Sequence, residues 1–259
     1  MGGNKVKVVI LAGGYGTRLA ENSNSIPKPM VAIGGKPILW HIMNYYSSWG
    51  FTEFILALGY KAEVIKSYFN KQNLTKLNFD IYSEVSEIIY RQDSLQDWNI
   101  KFVDTGLDTM TGGRILKLKE VLEDQAFMLT YGDGLGNVNI KELLQFHTSH
   151  NKSVSVTAVH PPARFGELSL EGNTVVGFQE KPQLQDSWIN GGFFVMEPDF
   201  LNFIPNLETM LEGEPLQAAV KSGQLMAFLH EGFWLGMDTK RDHERLEKLY
   251  KEGAPWLHH

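Results

Sequence analysis

The chain has 259 residues, 43% of them hydrophobic and 21% charged, with a formal net charge of −6. Those proportions belong to a globular protein with a well-buried core, and the acidic balance argues against a nucleic-acid coat. The absence of cysteine excludes disulfides, thiolate metal sites and cysteine nucleophiles.

The opening "MGGNKVKVVI" lacks the apolar region of a secretory signal, and no apolar run reaches membrane-spanning length. The expectation is a cytoplasmic, soluble protein with neither nucleic-acid nor membrane partners.

In chain order, "VKVVILA" (6–12) predicts a strand rich in β-branched residues, ending in a turn that holds Gly13, Gly14 and Gly16. Lys28 follows between Pro27 and Pro29. "PILWHIMNYYSSWG" (37–50) predicts a helix with Pro37 near its start and Gly50 at its end. "FILALG" (54–59) predicts a strand and "KAEVIKSYFNKQ" (61–72) a helix. Segment 73–99 is polar and poorly patterned, which points to a functional excursion or an interface. "IKFVDTG" (100–106) and "AFMLTYGDG" (126–134) are further strands, separated by a helical "GRILKLKEVLE" (113–123). "NIKELLQFHTSH" (139–150) opens with Asn139 as N-cap and Glu142 as its box partner.

After that the character changes. "SVSVTAVH", "GELSLEG", "TVVGFQEK", "INGGFFVM" and "LMAFLHEG" are short strands between Gly and Pro turns, and the last helix is "TKRDHERLEKLYKEG". The alternation predicts a Rossmann-like α/β fold: a mixed, mainly parallel sheet flanked by helices, with a small antiparallel lobe. No linker divides the chain, so residues 1–259 read as one domain. Its nucleotide-binding half spans about 1–135 and its second half 136–240, followed by a C-terminal helix and tail over 241–259.

The glycine turn does not complete a dinucleotide fingerprint. Gly14 and Gly16 fit, but the third position is Leu19, and "FILALG" leads into Gly59-Tyr60 rather than an acidic residue. The Gly-Lys-Ser/Thr of a Walker loop is missing as well. What remains is a loop whose bare amides can approach phosphate oxygens, with Arg18 and a proline-aimed Lys28 close by; a tight structural turn with two solvated cations is the alternative. The eight histidines form no ligand-spaced cluster, and there is no Gly-x-Ser-x-Gly elbow.

"LAGGYGTRL" with "PKPM" and "GGKPIL", then "YGDG", "ARFGEL", "FQEKP", "NGGFFV" and "FWLGMDT" in that order, resemble the sugar-nucleotidyltransferases over nearly the whole chain. Those enzymes join a nucleoside triphosphate to a sugar 1-phosphate. "DTGLDTMTGGRI" and "GAPW" narrow the resemblance to members that use CTP and glucose 1-phosphate. One lysine of some relatives is Ile26 here.

The resemblance implies Arg18 and Lys28 as catalytic cations. It implies Leu11, Ala12, Gly13, Gly14, Gly16, Thr17, Thr109, Arg114 and Gly132 around the nucleotide, with Arg114 reading the base. Gly166, Glu180, Lys181 and Asn190 would hold the sugar phosphate in the second lobe. Asp133 and Asp238 would bind Mg²⁺, although Asp133 could equally be a turn residue and Asp238 could compete with Thr239 to cap the last helix. Trp234 either walls the sugar pocket or packs. The resemblance further implies a homo-oligomer, a hexamer as one form, with segment 73–99 reaching a neighbour, and a product destined for bacterial surface polysaccharide such as lipopolysaccharide O-antigen. A UTP- or dTTP-dependent relative and a non-catalytic nucleotide-sugar-binding module are the competing readings.

Overall fold

A computed structural model of the chain describes residues 6–15, 26–71, 75–78, 84–90, 97–122, 124–161, 167–179 and 187–257. In chain order the elements are β1 (Lys7–Leu11), β2 (Ala32–Ile33), β3 (Lys36–Pro37), α1 (Ile38–Ser48), β4 (Glu53–Leu58), α2 (Ala62–Lys71), β5 (Thr75–Asn78), β6 (Val85–Tyr90) and β7 (Trp98–Asp104). Then come α3 (Thr111–Leu116), α4 (Lys119–Leu122), β8 (Phe127–Tyr131), β9 (Gly134–Gly136), α5 (Ile140–His150), β10 (Val154–Val159), β11 (Glu167–Glu171) and β12 (Thr174–Gln179). The chain finishes with β13 (Ile189–Met196), α6 (Glu214–Lys221), β14 (Leu225–His230), β15 (Trp234–Gly236) and α7 (Lys240–Lys251).

Among the described residues, nine strands form one sheet in the order β14-β10-β13-β8-β1-β4-β7-β6-β5. Its centre is parallel: β1 pairs with β8 on one side and β4 on the other, and β4 pairs with β7. On the flanks β13 and β6 run antiparallel to their neighbours. The fold is therefore the mixed α/β sheet that the sequence implies, and strands from both halves of the chain share it. β11 and β12 make a separate two-stranded hairpin.

The near-continuous apolar run of β1 follows from its central place, since a parallel strand covered on both faces must bury every side chain. Val8, Ile10 and Ala12 enter one core layer, and Val9 and Leu11 the other. β4 alternates in the same way, with Phe54, Leu56 and Leu58 on the first face and Ile55 and Ala57 on the second. The first layer is closed by α1, α2, α5 and α7 and by Trp256; the second by α3, α4, α6 and Phe200.

Local signals explain the ends of several elements. Gly50, at φ +93°, follows α1 in the left-handed conformation that terminates helices. Asn139 accepts a hydrogen bond from the Glu142 amide and caps α5. Thr239 caps α7 in a reciprocal box with Asp242.

Two expectations change. Segment 73–99 contains β5, β6 and the start of β7: Ser86, Ile88 and Tyr90 alternate inward, and Tyr90 stacks on Trp98 with ring centroids 5.3 Å apart. The helix expected over 113–123 begins earlier, at Thr111, and is broken into α3 and α4.

His41 joins three remote segments. Its Nε2 donates to the Ile33 carbonyl at 2.8 Å, and its Nδ1 accepts from Trp256 Nε1 at 3.3 Å. That arrangement needs a neutral imidazole, because a proton on Nδ1 would set two donors against each other. Burial holds its pKa below the ordinary value, as it does for His147 and His230. The unfolded chain takes up these protons near pH 6.5 while the folded chain resists them, so stability falls as pH drops below about 6.5. The urea midpoint should stay level from about pH 8 to 7 and then decline toward pH 5. A midpoint unchanged across the lower interval would contradict the neutral assignment.

Candidate active site

The carboxyl ends of β1, β4 and β7 open into loops that one side chain holds together. Arg114, on α3, is 4% exposed. Its Nη1 donates to the Leu58 carbonyl (3.0 Å), Thr105 Oγ1 (2.6 Å) and the Gly106 carbonyl (2.8 Å). Its Nη2 donates to the carbonyls of Gly13 (2.9 Å) and Leu107 (3.3 Å). The guanidinium lies against Gly13 and Gly59, where an added Cβ would collide with it. Burial lowers the Arg114 pKa, and Asp104 opposes that shift. The fork expected to read a base is committed here to the chain's own oxygens, so a base reaches it only by displacing some of them.

The other wall is built from a two-stranded ribbon. β9 pairs antiparallel with β15, Gly134 opposite Gly236 and Leu135 opposite Leu235. Antiparallel pairing puts the residue before one strand beside the residues after the other, and the Met237 amide donates to the Asp133 carbonyl at 2.8 Å. Asp133 and Asp238 thus converge although 105 positions separate them in sequence (238 − 133). Thr239 takes the capping role on α7, and Asp238 lines the cleft.

Lys28 meets both acids. Its Nζ donates to Asp133 Oδ2 at 2.5 Å and to Asp238 Oδ1 at 2.8 Å. Burial works against its charge, but Asp133 and Asp238 outweigh it and raise the pKa above the ordinary lysine value. The two carboxylates are 35% and 48% exposed, so both face solvent as well as the ammonium.

These walls enclose a cleft of about 660 Å³. Leu11, Ala12, Gly13, Gly14, Lys28, Thr109, Arg114, Gly132, Asp133 and Asp238 all line it. Asn190 stands outside that lining and reaches it through Tyr131, whose hydroxyl accepts from Asn190 Nδ2 at 3.2 Å. Gly16, Thr17, Arg18, Gly166, Glu180 and Lys181 lie outside the described residues. Trp234 donates to the Gly191 carbonyl at 2.7 Å and packs against the core.

Other residues at the cleft were not singled out from sequence. Tyr131 donates to Glu212 Oε1 at 2.5 Å, and Thr111 donates to Glu212 Oε2 at 2.8 Å. Glu212 thereby ties the end of β8 to the start of α3. Burial, followed by the Glu212 charge, pushes the Tyr131 pKa up. Across the mouth, Tyr15 donates to Asp108 at 3.2 Å. Leu107, Met110 and Met210 form an exposed apolar rim. Tyr131 adjoins the "GDG" turn, which could have flagged it; Glu212 carries no local signal.

The profile of the nucleotidyl transferase family matches residues 7–248. The chain is 47% identical over 253 residues to glucose-1-phosphate cytidylyltransferase of Salmonella typhi, covering 97% of this chain and 98% of that protein. It is 42% identical over 249 residues to a probable glucose-1-phosphate cytidylyltransferase of Bacillus subtilis, covering 96% and 97%. Among solved structures, HddC from Yersinia pseudotuberculosis superposes with a TM-score of 0.71 at 25% identity, over 95% of this chain and 99% of that one.

Substituting Gly13→Ala should force the new methyl into the Arg114 guanidinium and the Gly59 backbone. Overpacking of this kind costs about 1–3 kcal/mol, read as a lower urea midpoint. An unchanged midpoint would mean that Arg114 does not brace these loops.

Proposed function

The chain belongs to the nucleotidyl transferase family, and we propose that it converts CTP and α-D-glucose 1-phosphate to CDP-glucose and pyrophosphate. The observation that carries this reading is 47% identity, over 97% of the chain, to a glucose-1-phosphate cytidylyltransferase. The convergence of Lys28, Asp133 and Asp238 in one cleft supports the chemistry.

A phosphate oxygen of the sugar attacks the α-phosphorus of CTP in line. One P–O bond forms as the bond to the β-phosphate oxygen breaks, and pyrophosphate leaves with that electron pair. The nucleophile is already an anion, so no side chain has to remove a proton. The obstacle is repulsion between two polyanions, which positioned cations and bare amides relieve.

One lysine against two carboxylates leaves the described trio with a net negative charge, a poor host for a triphosphate. Two partly exposed carboxylates within reach of one ammonium fit a hard divalent ion that takes one or two protein oxygens beside phosphate and water. Asp133 and Asp238 would hold Mg²⁺, which would supply positive charge to offset that of the phosphates. Lys28 contributes a point charge to the phosphates, Arg18 a bidentate clamp, and the amides of Gly13, Gly14 and Gly16 close backbone donors. Leu11, Ala12, Thr17, Thr109 and Gly132 frame the nucleotide.

Arginine donors welcome the O2 and N3 acceptors of cytosine and oppose the N3–H of uracil. We assign that preference to Arg114, through exchange of its present carbonyl partners. On the sugar side, Lys181 neutralises the phosphate, and Glu180, Asn190 and the Gly166 amide contact the hexose. The same reading has a cytoplasmic homo-oligomer supplying CDP-linked sugar for surface polysaccharide; among the described residues no helix is long and apolar enough to cross a membrane.

Pyrophosphate release should require CTP, glucose 1-phosphate and Mg²⁺ together. Equal turnover with UTP or dTTP would transfer the reading to another base, and no turnover with any nucleotide would leave only a binding module. Asp133→Asn should lower turnover on the order of 10²–10³-fold with little change in thermal midpoint. Retained activity would remove Asp133 from the metal site. Arg114→Ala should narrow the gap between CTP and UTP as well as loosen the loops; an unchanged CTP preference would remove base reading from this residue.

A further inference from the structure

Lys28 is fixed at its main chain, whereas its ammonium is placed by side-chain torsions. Its Cα lies in a 3-10 turn, Lys28–Met30, entered through Pro27 at φ −68° and closed by the Met30 amide donating to the Pro27 carbonyl at 2.8 Å. Buried Pro29 packs on Gly132, where even a Cβ would come within 3.2 Å of the proline ring. Gly132 is the immediate neighbour of Asp133, so the backbones of the lysine and that aspartate are held in one register. What can still change is the set of side-chain torsions that carry Nζ.

At present those torsions send Nζ onto Asp133 Oδ2 and Asp238 Oδ1 together. A divalent ion held between the same two carboxylates would take up the ground that Nζ now occupies between Asp133 Oδ2 and Asp238 Oδ1. An ammonium and a dication in that space also repel each other, and the half-buried setting weakens solvent screening. The two cations therefore compete for that ground.

We propose that Lys28 is an internal competitor for the divalent ion, surrendering Asp133 and Asp238 only when a polyphosphate is present to receive its displaced ammonium. The proposal rests on the reading of the two aspartates as the metal site. It adds a role for Lys28 before substrate arrives: free metal is kept weakly bound, whereas a metal–nucleotide complex brings a cation for the carboxylates and an anion for the lysine in one step. Metal and nucleotide then enter as a cooperative pair, each raising the affinity for the other. The proline-locked turn is what makes the exchange local, since the ammonium can change partners without moving the Cα.

The test is Mn²⁺ binding, followed by electron paramagnetic resonance, to nucleotide-free protein. Lys28→Met, which keeps an unbranched chain one atom shorter and removes the charge, should bind Mn²⁺ at least tenfold more tightly than wild type, and Asp133→Asn in the same chain should cancel the gain. A non-hydrolysable CTP analogue should tighten Mn²⁺ binding to wild type much more than to Lys28→Met. Lys28→Gln, whose amide still donates to a carboxylate, carries the same comparison if the methionine variant does not fold.

Mn²⁺ binding to the neutral variants no tighter than to wild type overturns the proposal. If that wild type also releases pyrophosphate in a magnesium-dependent way, the transferase reading stands without it. Tightened binding in a chain with no transferase activity would instead sustain the competition and sink the reading of the substrates.

Discussion

One ammonium held between two carboxylates sets the terms for the rest of the molecule. Lys28 lies 105 residues from Asp133 and 210 from Asp238, so their meeting depends on the tertiary fold. The parallel pairing of β1 with β8 brings the loop after the first strand beside the "GDG" turn. The antiparallel β9–β15 ribbon then delivers Asp238 to the same point. A sheet whose central strands all point their carboxyl ends at one crevice is the usual way for an α/β protein to gather such groups. Here the helices on either face seal two core layers and leave that edge open.

The opposite wall follows a different logic. Arg114 reaches carbonyls at the ends of three parallel strands and gives the glycine loop a fixed underside. Gly13 and Gly59 leave room for its guanidinium, so the bare backbone there is what lets an arginine pack beneath the loops. Glu212 links the two walls through Tyr131 and Thr111. The cleft is thus a set of loops braced by buried or tightly bonded polar side chains, which is how a site can be rigid without regular secondary structure.

Much of this was legible in the sequence because the signals were local. β1, β4 and β8 announce themselves by apolar runs, Gly50 and Asn139 by cap and turn chemistry, and Asp133 by its place after a strand. The nucleotidyl transferase family, too, was readable from motifs in order. β6 escaped because only half of "VSEIIY" faces inward, and it forms by pairing with β7 rather than by its own pattern. The break between α3 and α4 escaped for a similar reason: the apolar spacing continues while the axis does not. The partners of Arg114 and Glu212 lie on loops distant in sequence, and no window of neighbouring residues encodes them. Charge type could be read from the chain, but the partner each charge takes needed the fold.

The most direct measurement is a crystal structure of the protein with magnesium and a non-hydrolysable CTP analogue. The account predicts one ion on the carboxylates of Asp133 and Asp238, with Lys28 Nζ withdrawn from both and set against a phosphate oxygen. An ion held elsewhere, or a bound nucleotide beside a Lys28 that still bridges the two acids, would contradict it.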